Sequence, residues 1–296
     1  MLSILIPTYN HNVYPLVTKL DEELAATNST YEILVFDDGS TEPLVQNEKI
    51  EIFKNTSLRK LPHNIGRSAV RLQLAKNATY NFLLFIDADV MPVSTSFVTT
   101  YIKTIKEKEP EVAFGGIFYT EVKPPIEERL RWEYGKNREV QPVAEREKKP
   151  HFIITQNVLI KKDVYLNLSI PTENFYGDDL VFSQQLKTKG IEVLHIDNPV
   201  IHLGLESSKQ YLEKALSAVS SIVALEKKGV LDPDLTKLQQ AYSTLKKWKA
   251  IRLFKWYVAS RKRKMEQNFL SENPNLRWFD MYRLLYYIEL KEKRHA

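Results

Sequence analysis

Two carboxylates stand two residues apart in the segment Asp87-Ala88-Asp89. The segment follows the apolar run 81–86, which predicts a strand, so both carboxylates lie where a strand ends in a loop. Their oxygens would project into one crevice, and oxygen ligands are what Mg²⁺ or Mn²⁺ prefers, often shared with substrate phosphates. Taken alone, an isolated pair of this kind is more often two solvated side chains in a turn.

A second acidic pair, Asp37-Asp38, ends another strand-like run and precedes Gly39-Ser40, which predicts a sharp turn. An aspartate at that place could accept hydrogen bonds from a nucleobase or from ribose hydroxyls. An Asx-type turn explains the same residues equally well, so both interpretations stay open.

Arg67 and Arg71 stand one helical turn apart in residues 63–71, a segment that predicts a loop followed by the start of a helix. Positive charge close to a helix N-terminus suits a phosphate group. Without other evidence, arginines at this spacing are more often part of a solvated face.

Two further acids, Asp178 and Asp179, follow Gly177 and precede the helical pattern 180–186. A helix N-cap with a favourable dipole interaction explains them. The functional alternative is a general base, a carboxylate that removes the proton from an attacking hydroxyl. His202 ends a short apolar run and is either structural or completes a metal shell that Asp89 begins.

These residues must be positioned by alternating strands and helices, which the first half of the chain predicts. Strands are predicted at 3–7, 31–36, 49–53 and 81–86, with helices near 13–27, 68–77 and 94–108. Such alternation predicts an α/β fold with a parallel, doubly wound sheet. Ligands bind at the carboxyl ends of the strands in such sheets, where Thr8, Asp37, Asp38 and the Asp87/Asp89 pair would all lie.

The remainder of the chain divides into a mixed segment and a helical one. Further strands are predicted at 112–119, 152–161 and 191–196, and a long loop with a short helix at 121–150. From residue 206 onward only helical patterns occur. We therefore predict a catalytic domain at 1–205 and a helical C-terminal extension at 206–296.

Composition limits the class of protein. The 296 residues are 43% hydrophobic, which is enough for a substantial core, and the absence of cysteine excludes disulfides and thiolate metal sites. The first residues lack the features of a secretory signal, and no uncharged apolar stretch reaches the ~18 residues needed to span a bilayer. A cytoplasmic protein that is not integral to a membrane is expected.

The net charge of +5 is unevenly distributed. Residues 206–296 carry 19 Lys or Arg against 10 Asp or Glu, whereas residues 1–205 carry 23 against 27. The most basic stretch, 246–264, has nine cations and no acid, and aromatic residues such as Trp248 and Trp256 lie among them. It is either a helix at an anionic membrane surface or a helix that packs on the domain with a solvated basic face. Nucleic acid is not expected as a partner.

The order of the motifs is more specific than any one of them. The chain resembles family 2 of the inverting glycosyltransferases, which have the GT-A fold and a DXD motif. The resemblance rests on five segments in this order: 6–10, 36–40, Asn64 and Gly66 with Arg71, 87–89, and 177–179. The resemblance covers residues 1–205. It implies a nucleotide-diphosphate sugar donor, with uridine as the expected nucleotide, a Mn²⁺ or Mg²⁺ cofactor, and transfer to an acceptor hydroxyl with inversion. A glycan or lipid-linked acceptor in polysaccharide or glycolipid synthesis would fit, at the cytoplasmic face of a membrane if the tail binds there.

The same resemblance assigns roles to individual residues. Thr8 and Asp38 would line the nucleoside pocket, Arg71 would approach the diphosphate, and Asp87 would contact the ribose or the sugar. Asp89 would ligate the metal with His202. Asp179 would be the base, because the second acid of this element usually has that role in the family. Asp178 is the alternative, since it stands where the family more often has glutamate and the chain therefore has two adjacent aspartates. A strand at 155–157 would border the sugar. The whole donor-binding set is Pro7, Thr8, Tyr9, Asp38, Asn64, Gly66, Arg71, Asp87 and Ala88.

Two other functions compete with this interpretation. A haloacid-dehalogenase-like phosphatase has similar acidic motifs, but its nucleophilic aspartate should follow the first strand, whereas two strand-turn units precede Asp87 here. A nucleotide-sugar-binding module without catalysis is the non-enzymatic alternative. A dehydrogenase is not expected, because the turn after the first strand lacks Gly-x-Gly-x-x-Gly, and the chain has no P-loop sequence for a nucleotide triphosphatase.

Overall fold

The computed structural model of the chain describes residues 1–27, 29–171 and 177–293. Its contacts divide the chain into two units. The first comprises Met1–Tyr119, Val140–Asn174 and Gln185–Gly204, and the second comprises Thr120–Glu139, Phe175–Gln184 and Leu205–Ala296. The last division is close to the predicted domain boundary at 205, but segments 120–139 and 175–184, which the prediction assigned to the first domain, belong to the second unit.

The elements follow one another in chain order. The strands are β1 (Leu2–Thr8), β2 (Tyr31–Asp37), β3 (Thr56–Lys60), β4 (Phe82–Ile86), β5 (Val90–Pro92), β6 (Val112–Phe114), β7 (Ile117–Phe118), β8 (Asn157–Lys161), β9 (Val193–His195) and β10 (Val200–His202). The α-helices are α1 (Tyr14–Ala25), α2 (Val45–Glu48), α3 (Arg67–Asn77), α4 (Phe97–Lys108), α5 (Arg129–Tyr134), α6 (Val143–Arg146), α7 (Lys162–Leu166), α8 (Asp178–Thr188), α9 (Ser208–Lys227), α10 (Lys237–Lys247), α11 (Ile251–Ala259), α12 (Lys262–Phe269) and α13 (Leu276–Glu292). Short 3-10 helices lie at Lys49–Ile52 and Ile126–Glu128, and a π-helix lies at Gly135–Glu139.

The central sheet of the first unit confirms the predicted mostly parallel α/β architecture. Seven strands of the described residues form it in the order β3-β2-β1-β4-β8-β6-β9. The strands from β3 to β4 are parallel, whereas β8 runs antiparallel to both β4 and β6. A second sheet of three described strands has the order β5-β10-β7.

The first unit has its core where the parallel strands meet the helices. Strand β1 is buried along almost its whole length, which is the pattern of a strand covered on both faces. Helix α1 directs Leu16, Leu20 and Leu24 at helical spacing into the same apolar cluster, with Ile4 of β1 and Ile33 of β2. Burial of this cluster holds the carboxyl ends of the strands in place.

The prediction of a strand at 49–53 is wrong. Most of this segment is a 3-10 helix, in which Ile50 is buried whereas Ile52 is 72% exposed. The strand that pairs with β2 is β3, which lies at the edge of the sheet and is partly or fully exposed along its length. Because an edge strand can be polar, β3 lacks the apolar run from which buried strands are predicted.

The other strands of the middle segment are shorter than predicted. The run 112–119 is interrupted by Gly115-Gly116, and Gly116 has a φ of +94°. The interruption places β6 in the large sheet and β7 in the small one. In the predicted strands 152–161 and 191–196, only Asn157–Lys161 and Val193–His195 have strand structure. The predicted loop at 121–150 contains several short helices, not one.

The second unit is helical, as predicted. The described residues from 206 to 293 contain no strand. Helix α9 packs against α13 through apolar side chains that include Val219, Ile222, Leu284 and Ile288. Within the described parts of the chain, no helix combines the length and apolar character that crossing a membrane requires.

One buried carboxylate connects three elements of the second unit. Glu226 of α9 accepts hydrogen bonds from the Tyr287 hydroxyl at 2.6 Å, from Gln239 Nε2 at 2.6 Å and from Lys291 Nζ at 2.9 Å. Its side chain is only 7% exposed. Burial and the bonded carboxylate together raise the pKa of Tyr287 above its usual value.

We expect Glu226→Ala to lower the free energy of unfolding by about 2–4 kcal/mol, because it leaves the buried Tyr287 hydroxyl and Gln239 amide without this acceptor and removes the ion pair with Lys291. Glu213→Ala is the matched control, since Glu213 is an exposed residue of the same helix. Urea unfolding of both variants measures the difference. Equal stability of the two variants would contradict a structural role for Glu226.

Candidate functional site

The first two strands bring their terminal residues together at one edge of the sheet. Thr8 of β1 and Asp37 of β2 are partners in the parallel register, and the Asp38 amide donates to the Thr8 carbonyl at 2.8 Å. Thr8 is 3% exposed, whereas the next side chain, Tyr9, is 45% exposed. Of these two predicted donor-binding residues, Tyr9 is the more accessible, and Pro7, a third, is half-buried.

Asp37 closes the turn after β2. Its Oδ1 accepts from the Ser40 amide at 2.9 Å and from the Ser40 hydroxyl at 2.6 Å. The Ser40 oxygen in turn accepts from the Asn10 amide at 2.8 Å, which connects the turn to the loop after β1. A Cβ at Gly39 would lie 2.7 Å from the Asn64 backbone nitrogen, and the φ of Gly39 is +71°, so glycine is needed at this place.

Asp38 holds the loop that precedes α3. Its two carboxylate oxygens accept from the backbone amides of Ile65 at 2.8 Å and Gly66 at 3.0 Å. Burial raises the pKa of Asp38, although these two hydrogen bonds act in the opposite direction. The predicted site residues Asp38, Asn64 and Gly66 are therefore parts of one local structure.

Arg71 of α3 is buried and binds protein groups. Its guanidinium donates through Nη2 to Asp87 Oδ1 and through Nη1 to Thr155 Oγ1, and Nη2 also lies 3.1 Å from the Thr155 carbonyl oxygen. The Arg71 and Asp87 side chains are 5% and 13% exposed. The structure thus brings Arg71 to Asp87, and Ala88 packs against the apolar core beside them.

Thr155 is the connecting residue of this cluster, and sequence reasoning gave it no role beyond a strand beside the sugar. Its hydroxyl also accepts from Arg67 Nη2 at 3.0 Å. The neighbouring Asn157, predicted to border the sugar with it, is fully buried. The Asn157 side-chain amide accepts from the Tyr101 hydroxyl and donates to the carbonyls of Gly116 and Asn198, which fixes Asn157 in the interior.

Asp89 and His202 meet although 113 positions separate them. Asp89 precedes β5 and His202 ends β10, and the antiparallel register pairs His202 with Val90. Asp89 Oδ2 lies 3.2 Å from His202 Nε2. Burial raises the pKa of Asp89, but the hydrogen bond and charge of His202, with the charge of His11, lower it to about 2.

The side chains of Asp89 and His202 are of the kinds that bind divalent cations in proteins. A carboxylate oxygen and an imidazole nitrogen face each other, and the Nδ1 of His202 is buried without a hydrogen-bond partner in the described residues. Within the described ranges, no group of three His, Cys, Asp or Glu residues could hold a metal. A bound cation would therefore take its other ligands from water and from the oxygens of a bound molecule.

Gly204 completes this part of the site, and sequence reasoning missed it. A Cβ added at Gly204 would lie 2.8 Å from the Cβ and Cγ of Asp89, closer than side chains approach in proteins. The absence of a side chain at 204 leaves room for the Asp89 carboxylate to face His202. The only sequence signal was a glycine two residues after His202.

The acids at 178 and 179 lie in the second unit. Both are in the first turn of α8, directly after Gly177, whose φ is +104°. Asp178 is 7% exposed, whereas Asp179 is half-buried. Of the two carboxylates, that of Asp179 is therefore the more accessible to a ligand.

A family model and a curated relative match the chain. The model described as "Glycosyl transferase family 2" matches residues 3–168. Glycosyltransferase GlyA of Streptococcus pneumoniae serotype 4 is 30% identical over 120 residues, which are 40% of this chain and 17% of GlyA. The chain thus spans less than a fifth of the length of this relative.

Solved structures match a larger part of the chain. The mannosyltransferase PcManGT of Pyrobaculum calidifontis, in complex with GDP-Man and Mn²⁺, has a TM-score of 0.61 at 14% identity, and the match covers 97% of this chain and 86% of that protein. TarS 1-349 of S. aureus in complex with UDP-GlcNAc has a TM-score of 0.51 at 18% identity, over 75% of this chain and 66% of that protein. At these identities the likeness shows the fold alone, and it confirms the predicted GT-A fold.

The Arg71–Asp87 pair generates a prediction about stability. We expect Asp87→Asn to lower the free energy of unfolding by about 3 kcal/mol, because it leaves the buried guanidinium without its charged partner. Glu48→Gln is the control, since it breaks an ion pair with Lys60 in which both side chains are more than half exposed. Chemical denaturation followed by circular dichroism compares the variants. A loss for Asp87→Asn no larger than that for Glu48→Gln would refute the structural role of the pair.

Proposed function

Because this chain belongs to glycosyl transferase family 2, we propose that it transfers a sugar from a nucleotide-diphosphate sugar to an acceptor hydroxyl with inversion at the anomeric carbon. The observation that carries the proposal is the meeting of Asp89 and His202 beside the strand ends that hold Thr8, Asp38 and Asp87. This arrangement assembles polar groups for a nucleoside and a cation at one edge of the sheet. Family membership leaves the phosphatase alternative without support.

Two neighbours in fold support a nucleotide-sugar donor. PcManGT is in complex with GDP-Man, and TarS 1-349 is in complex with UDP-GlcNAc. Their donors differ in both the base and the sugar, so the fold does not select between them. We propose UDP-sugars as the first class to test.

We propose that Asp89 and His202 hold Mn²⁺ or Mg²⁺ together with the donor diphosphate. When bound, the cation supplies positive charge that stabilises the leaving diphosphate. An aspartate carboxylate is ionised at neutral pH, as a ligand to a divalent cation must be. PcManGT, which has a related fold, is in complex with Mn²⁺.

The role expected for Arg71 is revised in this proposal. Direct contact with the diphosphate would require the guanidinium to leave Asp87 and Thr155, and separating a buried ion pair costs about 3–5 kcal/mol. We propose that Arg71 orients Asp87, whose carboxylate then contacts the ribose or the sugar. Asp38, with its amide-bound carboxylate, shapes the nucleoside pocket together with Thr8 and Tyr9.

We propose Asp179 as the general base. Its carboxylate is the more accessible of the two acids at the start of α8. It takes the proton of the acceptor hydroxyl as the acceptor oxygen bonds to the anomeric carbon, and the bond from that carbon to the diphosphate oxygen breaks with its electrons. One base and no protein nucleophile give a single displacement, and hence inversion.

The acceptor that we propose is a hydroxyl of a glycan or of a lipid-linked sugar, in polysaccharide or glycolipid synthesis. The exposed basic residues of 246–264 support the lipid-linked alternative, because they could bring the enzyme to an anionic membrane. A cytoplasmic location stays a prediction.

Asp179→Asn should lower the turnover number for transfer at least ~10²–10⁴-fold while donor binding is retained, because only the proton acceptor is lost. Asp178→Asn is the paired variant and should keep most of its activity. Transfer from a panel of nucleotide sugars, with donor affinity measured by calorimetry, provides the test. If Asp179→Asn transfers at the normal rate and Asp178→Asn does not, the base is Asp178.

Asp89→Asn should remove the part of donor binding that depends on Mn²⁺. In the wild type, a bound donor at about 100 times its Kd stabilises the fold by about 2.7 kcal/mol, which raises Tm by several degrees. Thermal shift with nucleotide sugars, each with and without Mn²⁺, measures this effect. Asp163→Asn, which changes an exposed aspartate of the same unit, is the control. An unchanged Mn²⁺ effect in Asp89→Asn would exclude Asp89 as a ligand.

A further inference from the structure

Helix α11 in the second unit is apolar on two different faces. One face packs inward: Val258 is buried in the cluster between α9, α12 and α13, and Ile251 and Phe254 pack against the buried residues. These three positions have the spacing of one helical face. They show that α11 is fixed within its own helical unit.

The other face of α11 carries large apolar side chains into solvent. Leu253 and Trp256, three positions apart on the helix, are each 67% exposed. Trp248, in the turn that leads into the helix, is 76% exposed. The inner face of α11 supplies its contacts with the apolar clusters of the unit. The three exposed side chains are therefore not needed to hold α11 in place.

Positive charge surrounds the exposed apolar side chains. Among the nine cations of 246–264, Lys255 pairs with Glu292, and Arg261 lies over the Tyr257 ring at 4.1 Å. Lys262 and Lys264 likewise lie over aromatic rings, whereas five others form neither an ion pair nor a ring contact with any described residue. They are Lys246, Lys247, Lys249, Arg252 and Arg263.

Lys249 has a left-handed backbone conformation, which glycine adopts more readily than lysine. Its φ is +54°, and the amides of Lys249 and Ala250 bond the carbonyls of Lys246 and Leu245, which is the pattern of a Schellman motif at the end of α10. Glycine is the preferred residue at this left-handed position. A cation is therefore present here although a glycine would give a more stable turn.

We propose that Trp248, Leu253, Trp256 and the surrounding cations form a docking surface for an anionic lipid bilayer. The indole and leucine side chains enter the boundary between headgroups and acyl chains, and the lysines and arginines lie among the phosphates. This surface lies in the second unit and requires no assumption about the reaction.

The composition of the surface favours lipid over the other occupants. Lysine supplies most of the cations in 246–264, and lysine is depleted in protein interfaces, whereas polybasic segments with exposed tryptophan suit anionic headgroups. A nucleic acid could stack on Trp248 and Trp256, but it would leave Leu253 without a partner. A bilayer buries all three side chains.

Flotation of the 296-residue chain with vesicles tests the proposal. Vesicles of phosphatidylglycerol and phosphatidylcholine should bind the chain, whereas vesicles of phosphatidylcholine alone should bind it weakly, and added salt should reduce the binding. The double substitution of Trp248→Ser and Trp256→Ser should lower the partition coefficient by about tenfold or more. Phe152→Ser, at an aromatic residue of the first unit that is 48% exposed, should leave it unchanged.

Lys249→Gly separates lipid binding from folding. We expect it to raise Tm, because glycine relieves the left-handed position, and to lower the partition coefficient about fivefold, the effect of one interfacial cation. If Lys249 had only a structural role, the substitution would change Tm and the partition coefficient in the same direction, or it would leave the partition coefficient unchanged.

Three results would overturn the proposal. The first is equal binding of the wild type and the double tryptophan variant to the anionic vesicles. The second is binding to a single-stranded oligonucleotide that is tighter than binding to the vesicles and is lost in the double variant. The third is a dimer in light scattering that the double variant converts to a monomer, because a second copy of the chain would then cover the surface.

Discussion

The parallel pairing of β1 with β2 and β4 is the constraint on which the site depends. Because the three strands run in one direction, the residues that follow them meet at one edge, although they come from distant parts of the chain. The apolar cluster around the strands keeps this register, since a shift by one residue would exchange the side chains of the two covered faces and break their fit to the packed helices. Thr8, Asp38 and Asp87 are therefore positioned by the packing of their strands before any ligand binds.

Two aspartates of the site form hydrogen bonds or ion pairs with other groups of the protein. Asp38 binds two backbone amides, and Asp87 binds the buried Arg71, which Thr155 also binds. These contacts connect the loops at the strand ends to one another and to the body of the sheet. By contrast, Asp89 faces His202 alone among the described residues, and this is why we assign the cation to that pair.

The elements that the sequence predicted best are those whose burial is simplest. Strands β1, β2 and β4 are apolar and buried, and their bounds agree with prediction to within one or two residues. The strand β3 was missed because an edge strand needs no apolar run, and 49–53 was predicted as a strand because its isoleucines alternate as in one. Among the site residues, Gly204 was missed because it acts only by leaving space for the Asp89 side chain, which is distant in sequence.

The sequence by itself determined which acids exist, in which order they follow the strands, and that 246–264 is basic and aromatic. Local spacing encodes the period of a helix or a strand, so it was sufficient for these conclusions. Only the tertiary structure decided that Asp89 meets His202, that Arg71 is directed to Asp87, and that Trp256 is exposed while Val258 is buried. Such outcomes depend on which distant residues cover a given side chain, and this is settled by the packing of the whole unit.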